Sequence, residues 1–430
     1  MPFTFAELFA GLGGFRLGLE AVGGSLVWAC EKDRDAKIAY EANFGDRPYH
    51  DVTRCEPSKI PDHDVLCGGF PCQDFATMGP QEGLAGARGS LFFEIVRVAA
   101  AKRPKVLLLE NVRGLLTMNE GADVKRVVAE LENIGYAVVY GVRNISGALP
   151  QFRRRVFFVG FLDGEACERF RFPSNPMLTP LPTFADVQCD PRDPYLRSYT
   201  LAHNAWQRVQ RSKASAKYGL RSRILLAGDT ADTLIANYRK SVDGVAQFVA
   251  TDDRFADGKD DLKKPRWLSP LECRRLMGFP ETYKLHPHEA ASYQLLGNTV
   301  VPPLVALLGG AAVAALKTDA TKAAALRIKA LEAFAALLVA ATPADRRRAL
   351  RAKIIECDLG GPPLLAPDAT DPHGEGAASE RRGTRPHDRE RHRGTLGALV
   401  DSRSRAPPGL LLAIACAAVA AFVTVRRRRS

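Results

Sequence analysis

From residue 3 to residue 162 the chain alternates short apolar runs with segments of helical spacing. The runs over 4–9, 26–30, 64–67, 106–110, 137–143 and 155–161 have the length of strands. Between them, 15–22, 35–43, 91–101 and 124–134 repeat apolar residues at the period of a helix. Such a string predicts an α/β domain with a parallel sheet and helices on both faces. The residues that carry chemistry stand at the ends of the runs.

The first run leads into Phe9-Ala10-Gly11-Leu12-Gly13-Gly14, which opens the first helical segment. Glycines there allow positive φ and let a ligand come close to a helix N-terminus. Glu31 follows Gly11 by 20 positions, the spacing at which a nucleotide-type site takes a ribose hydroxyl. Asp51 is a second acid at a strand end. A lone glycine loop is often an ordinary tight turn; with both acids, a ligand site is the better reading. Dinucleotide loops usually run GxGxxG, whereas Gly13 and Gly14 are adjacent, which fits S-adenosylmethionine better than NAD.

The run at 64–67 leads into Gly69-Phe70-Pro71-Cys72-Gln73. Most cysteines are small buried hydrophobes. A strand-end cysteine held by a proline and preceded by glycine has instead a fixed exit direction and room for a substrate, as a thiol nucleophile needs. The nine cysteines are scattered, odd in number and without a CxxC pair, so neither a disulfide framework nor a zinc site is expected, and the compartment is reducing. No metal is expected.

Beyond residue 172 the alternation stops. Prolines at 173, 176, 180, 182, 191 and 194 read as a linker or extended wall. The stretch 192–223 is basic and interleaved with Tyr195, Tyr199, Trp206 and Tyr218. With a net charge of +12 and a pI of about 9.3, this favours a polyanionic partner such as nucleic acid. A hairpin is expected over 230–249, turning at Asp243-Gly244. Ser269, Pro270 and Glu272 form the start signal of a helix, and an apolar helix is expected over 303–316. Another helix is expected over 323–341, and Thr342-Pro343-Ala344-Asp345 reads as the start of one more. Residues 360–408 are poor in large apolar side chains and are expected to be disordered. The apolar run 409–425 is at the lower limit for a membrane span, and were the preceding residues cytoplasmic the arginines at 426–429 would be translocated, against the positive-inside rule.

Five motifs occur in one order: Phe9-Ala10-Gly11-Leu12-Gly13-Gly14, Gly69-Phe70-Pro71-Cys72-Gln73, Glu110-Asn111-Val112, Gln151-Phe152-Arg153-Arg154-Arg155 and Gly297-Asn298-Thr299-Val300. Together they strongly resemble the bacterial DNA (cytosine-5) methyltransferases, from residue 3 to about 318 apart from a variable stretch near 173–265. The resemblance implies a Rossmann-like S-adenosylmethionine-dependent methyltransferase sheet. A catalytic domain would comprise 1–172 and 269–318, with a smaller target-recognition domain inserted at 173–268. A helical extension (319–358) and a partly disordered tail (359–430) would follow.

The same resemblance implies residue roles. Cys72 would add to cytosine C6, Glu110 would bond N3 and the exocyclic amine, and Arg155 with Arg153 would hold O2 and the carboxylate. Phe9, Gly11, Gly13, Gly14, Glu31, Asp51, Asn298 and Thr299 would hold S-adenosylmethionine. Gln73, Arg88, Thr233 and Tyr238 would meet DNA, and a glycine-bearing loop over 73–89 would close on it. The substrate would be double-stranded DNA with its target base flipped out. The implied setting is cytoplasmic and nucleoid-associated: a monomer without membrane contact, sharing its site with a cognate restriction endonuclease. Glu7 stands where aspartate is common, Ala76 and Met78 depart from the family loop, and Ser146-Gly147-Ala148-Leu149 is looser than its pattern. Two other readings are an enzyme acting on tRNA and a DNA-binding module without activity. The presence of Cys72, Glu110 and Arg155 weighs against the second.

Overall fold

In the computed structural model, which describes residues 2–71, 91–244, 246–251 and 264–347, the six apolar runs form one sheet. Cys72, Gln73, Arg88, the loop expected at 73–89, and everything from 348 on, including 409–425, lie outside the described residues. The first half of the chain runs β1 (Phe3–Leu8), α1 (Gly14–Ala21), β2 (Gly24–Ala29), α2 (Arg34–Phe44), β3 (Val65–Gly69), α3 (Phe92–Lys102), β4 (Val106–Val112), α4 (Ala122–Asn133), β5 (Ala137–Asn144) and β6 (Arg154–Phe161). Strand order is β2-β1-β3-β4-β6-β5.

The expected parallel sheet carries one antiparallel strand. β1, β2, β3 and β4 are parallel, but β6 pairs antiparallel with both β4 and β5. No helix separates β5 from β6. A parallel return requires a long crossover, and the short 145–153 connection permits only an antiparallel one.

Strand periodicity sorts side chains to two cores. On β4, Val106 and Leu108 belong to one hydrophobic cluster, while Leu107 and Leu109 belong to the other. The second face is covered by Phe92, Ile95 and Val98 of α3 and by Val124, Val127 and Leu131 of α4. The first face is covered by Phe15 and Leu19 of α1 and by helices from the far end of the chain.

The remaining elements are α5 (Gly164–Arg169), α6 (His203–Arg211), α7 (Lys213–Tyr218), β7 (Ile224–Leu225), β8 (Phe248–Val249), α8 (Pro270–Leu276), α9 (Glu289–Asn298), α10 (Pro302–Ala315) and α11 (Ala320–Ala341). Ser269 and Glu272 form the capping box expected at the start of α8. Every residue of α10 is buried, which explains its lack of a polar face.

The hairpin expected over 230–249 is absent. β7 and β8 pair in parallel, and the Asp243-Gly244 turn ends in a bond from the Gly244 N–H to Ser241 O. The intervening chain is drawn instead onto the catalytic strands: Phe152 N–H donates to Ala231 O and Ala231 N–H to Pro150 O, at 2.8 Å each.

The core expected to end near 316–318 continues through α11. Leu326, Ala330, Phe334 and Leu338 make one buried stripe at helical spacing, in the same cluster as α10 and α1. Thr342 caps this helix, and a turn follows it; most of the stretch in which a further helix is expected lies outside the described residues.

Candidate active site

β1 ends in Phe9, whose φ of +56° is left-handed, and Gly11 (+53°) and Gly13 (+72°) repeat that conformation. The three turn the chain sharply enough for Gly14 to begin α1 directly over the sheet edge. Gly13 N–H donates to Ala10 O at 2.7 Å, which closes the loop. A Cβ on Gly14 would come within 2.7 Å of the Val300 side chain and 3.0 Å of the Thr299 hydroxyl. The glycine is therefore required for the loop to pack on the late-chain 298–300 segment. Thr299 is buried and Asn298 is exposed beside it.

Glu31 follows β2. Its two carboxylate oxygens accept from Gly11 N–H and Asp33 N–H, at 2.8 Å each. Burial pushes its pKa up, against the lowering effect of these N–H groups. The acid thus faces the glycine loop, and each oxygen keeps a lone pair for a ribose hydroxyl. Asp51 is buried and accepts from the Thr53 N–H and hydroxyl, at 3.0 and 2.9 Å. Burial raises its pKa, but the Thr53 bonds and Lys32 outweigh that and hold the carboxylate below its ordinary range. The two acids beside the left-handed loop can accept from the hydroxyls and amine of a nucleoside, and the N-terminus of α1 favours a ligand's negatively charged end.

Tyr283, which sequence reasoning passed over, holds this loop, and Glu7 anchors the first turn of α1 below it. Tyr283 donates its hydroxyl to Leu12 O at 2.7 Å. Glu7, one turn of chain beneath the loop, is fully buried and receives the Arg16 N–H and the Tyr40 hydroxyl at 3.4 Å each. Burial pushes its carboxyl up to about 8, with Arg16 and Tyr40 opposing. Tyr283 lies 271 residues from Leu12 and carries no local signal.

The second half of the site lies at the carboxyl ends of β3 and β4. Gly69 sits opposite Glu110 in the parallel pairing, and the Phe70-Pro71 step that leads to Cys72 follows directly. Asn111, fully buried, donates to Phe70 O at 3.2 Å and so fixes that step. Glu110 is buried and pairs with Arg155, whose Nε lies 3.1 Å from Oε1. Burial raises the Glu110 pKa, and Arg155 and then Arg153 pull it back. A carboxyl so placed keeps a proton more readily than an exposed one, and so can donate to a ring nitrogen.

The structure separates Arg153 from Arg155. Arg153 is buried and donates to three backbone carbonyls: Leu234 O (3.0 Å), Gly297 O (3.1 Å) and Thr299 O (2.7 Å). It ties the inserted region to the late-chain loop, and its charge also acts on Glu110. Gln151 works beside it, accepting from Leu234 N–H and donating to Leu276 O, at 2.8 Å each. A Cβ on Gly297 would fall 2.2 Å from Ala236 N, so only glycine lets α9 approach the 235–236 backbone.

Thr233 is half-buried and donates its hydroxyl to Phe152 O. Tyr238, expected at DNA, is 3% exposed; it donates to Gln247 O at 2.7 Å and accepts from Leu268 N–H at 2.9 Å. Its ring meets Trp267 edge-on. It is a core residue of the inserted region, because both of its hydroxyl bonds join buried segments.

The C-5 cytosine-specific DNA methylase family matches residues 3–313. Type II methyltransferase M.BsuFI of Bacillus subtilis is 36% identical over 311 residues, covering 72% of each chain. Type II methyltransferase M.HhaI of Haemophilus parahaemolyticus is 35% identical over 306 residues, covering 69% of this chain and 90% of its own. Among solved structures, the Entamoeba histolytica methyltransferase EhMeth aligns with a TM-score of 0.60 at 16% identity, over 74% of this chain and 99% of its own. The Dnmt2 methyltransferase of S. pombe aligns at 0.54 and 20% identity, over 70% and 96%; at these identities both show the fold. On the family match and these relatives, this chain belongs to the C-5 cytosine-specific DNA methylases and is an S-adenosylmethionine-dependent DNA (cytosine-5) methyltransferase.

Proposed function

We propose that the enzyme methylates a flipped-out cytosine in a short duplex site through a covalent bond between Cys72 Sγ and C6. The observation that carries this is the juxtaposition of Glu110, buried and paired with Arg155, with the strand end that delivers Cys72. The thiolate adds to C6, and protonated Glu110 donates to N3 while its other oxygen accepts from the exocyclic amine. Arg155 holds the carboxyl and reaches O2. C5, made enamine-like, takes the methyl group. A base then removes the C5 proton, and the C6–S bond breaks to return the thiolate. S-adenosylmethionine supplies the methyl group; Phe9, Gly11, Gly13, Gly14, Glu31, Asp51, Asn298 and Thr299 hold it. A cytosine stacked in a duplex is out of reach of this chemistry, which is the reason for flipping.

We assign sequence reading to 173–268. Its basic exposed residues would neutralise phosphates, and Gln73, Arg88 and Thr233 would contact the site. The relatives' Type II names suggest a cognate endonuclease and hence a cytoplasmic, nucleoid-associated enzyme, which we take to act as a monomer.

The test is incubation of the enzyme with S-adenosylmethionine and duplex DNA carrying 5-fluorocytosine, where fluorine stands in place of the C5 proton and cannot be removed by a base. A denaturation-resistant adduct at Cys72 is expected in the wild type, and none in Cys72→Ser, which should still bind DNA. Active wild-type enzyme without an adduct would overturn the covalent route.

A further inference from the structure

α11 and the turn after it lie beyond residue 313, where the family match ends. They nonetheless reach the inserted region. Arg346 donates to Gln188 O at 2.8 Å and to Ala185 O through the same nitrogen. Nothing local draws it there: the sequence separations are 158 and 161 residues.

Segment 183–189 is one of the places where the inserted region meets the catalytic core. On one side Phe184 N–H and Ala185 N–H donate to Asp229 O and Ala227 O, at 2.8 Å each, in the chain just after β7. On the other, α8 grips it: Glu272 accepts from Cys189 N–H at 3.0 Å and Arg275 donates to Val187 O at 3.1 Å. Glu272 is also locked by Arg266 in a fully buried pair at 2.7 Å, and Arg275 by Glu281 at 2.9 Å. The α11 end joins the same junction, since Glu281 N–H donates to Ala340 O at 2.8 Å. Arg346 is thus the third cation or carboxylate clamped onto one short segment, and the only one of these three supplied from outside the family-matched residues.

We propose that Arg346 is a positioning residue: it fixes the 183–189 junction and thereby the inserted region in the orientation that engages DNA. This rests on the reading of 173–268 as the DNA-reading part. Arg346 touches neither the cofactor loop nor Glu110, so its loss acts on DNA binding and not on the chemical step. Without its guanidinium, the Ala185 and Gln188 carbonyls lose the donor that ties them to the end of α11.

The experiment uses the full chain with Arg346→Ala and Arg346→Lys, against duplex DNA containing the mapped methylation site. For Arg346→Ala, which loses two charged hydrogen bonds shared by one nitrogen, KM for DNA should rise about tenfold. The KM for S-adenosylmethionine and kcat at saturating DNA should stay within about twofold of wild type. Arg346→Lys should recover part of the loss, and amide exchange at 183–189 should quicken in the alanine variant only. An unchanged KM for DNA, or a fall in kcat and cofactor affinity together with it, would overturn the proposal. If Arg346→Ala does not fold, the lysine variant decides by the same KM comparison. A wild-type chain that methylates no DNA would instead refute the functional reading beneath it.

Discussion

Arg155 Nε lies 3.1 Å from Glu110 Oε1, and the pair exists because β6 runs antiparallel to β4. Glu110 faces Phe157 and Val112 faces Arg155, so Arg155 stands diagonally across from Glu110 on the same face of the sheet. In a parallel sheet the two would have come from opposite ends of their strands. The one antiparallel strand is therefore what brings the motif at 151–155 to the motif at 110–112.

Glu110→Gln keeps the size of the side chain and removes its proton. Single-turnover methylation should slow by about a hundredfold or more, the lower range for a positioned general acid. Cofactor affinity by calorimetry should hold, because Glu110 makes no contact with the glycine loop. Turnover close to wild type would remove Glu110 from the chemistry.

Glu31→Ala should weaken S-adenosylmethionine binding more than it lowers turnover at saturating cofactor. Two ribose hydrogen bonds to the carboxylate are worth about 1.5–3 kcal/mol each at most. The loss includes the Gly11 N–H left without its acceptor. Titration calorimetry showing wild-type affinity would refute the assignment.

Glu7→Gln tests the buried acid under the loop. The Glu7 pKa moves from its ordinary 4.5 to about 8 on folding, so folding takes up a proton between those values. Stability from this group is complete below about pH 4.5 and falls as pH rises towards 8. The glutamine variant has no charge to bury, so it should melt higher than wild type at pH 8.5 and equally at pH 5. A melting difference independent of pH would mean that Glu7 does not change protonation on folding.

A chain ended after Thr318 should fail to fold as a soluble unit. α11 buries Leu326, Phe334 and Leu338 against α10. At about 1.5–3 kcal/mol for each side chain, their loss comes to about 5–9 kcal/mol as an upper estimate. That is comparable with the whole stability of a typical protein. A chain ended after Arg347 should stay soluble and bind S-adenosylmethionine. Cooperative melting of the shorter chain near the full-length temperature would show that α11 is dispensable.

The sequence by itself determined the elements whose causes are local. Strand and helix periodicity placed β1 through β6 within a residue or two, the capping box at Ser269 appeared as written, and the glycine loop opens α1 with Glu31 bonded to it. Only the tertiary structure decided what depends on partners far along the chain. The antiparallel return of β6 follows from a connection too short for a crossover, which a list of strands does not reveal. Arg153 and Arg155 look equivalent in sequence, yet one caps three carbonyls from two distant segments while the other faces Glu110. Tyr238 reads as an exposed contact until the fold closes Trp267 and Leu268 over it. The grip of α11 on the core is of the same kind: its apolar stripe was legible, but which surface it covers is set by the shape of α10. Periodicity tells a residue which side of its own element is buried; only packing says against what.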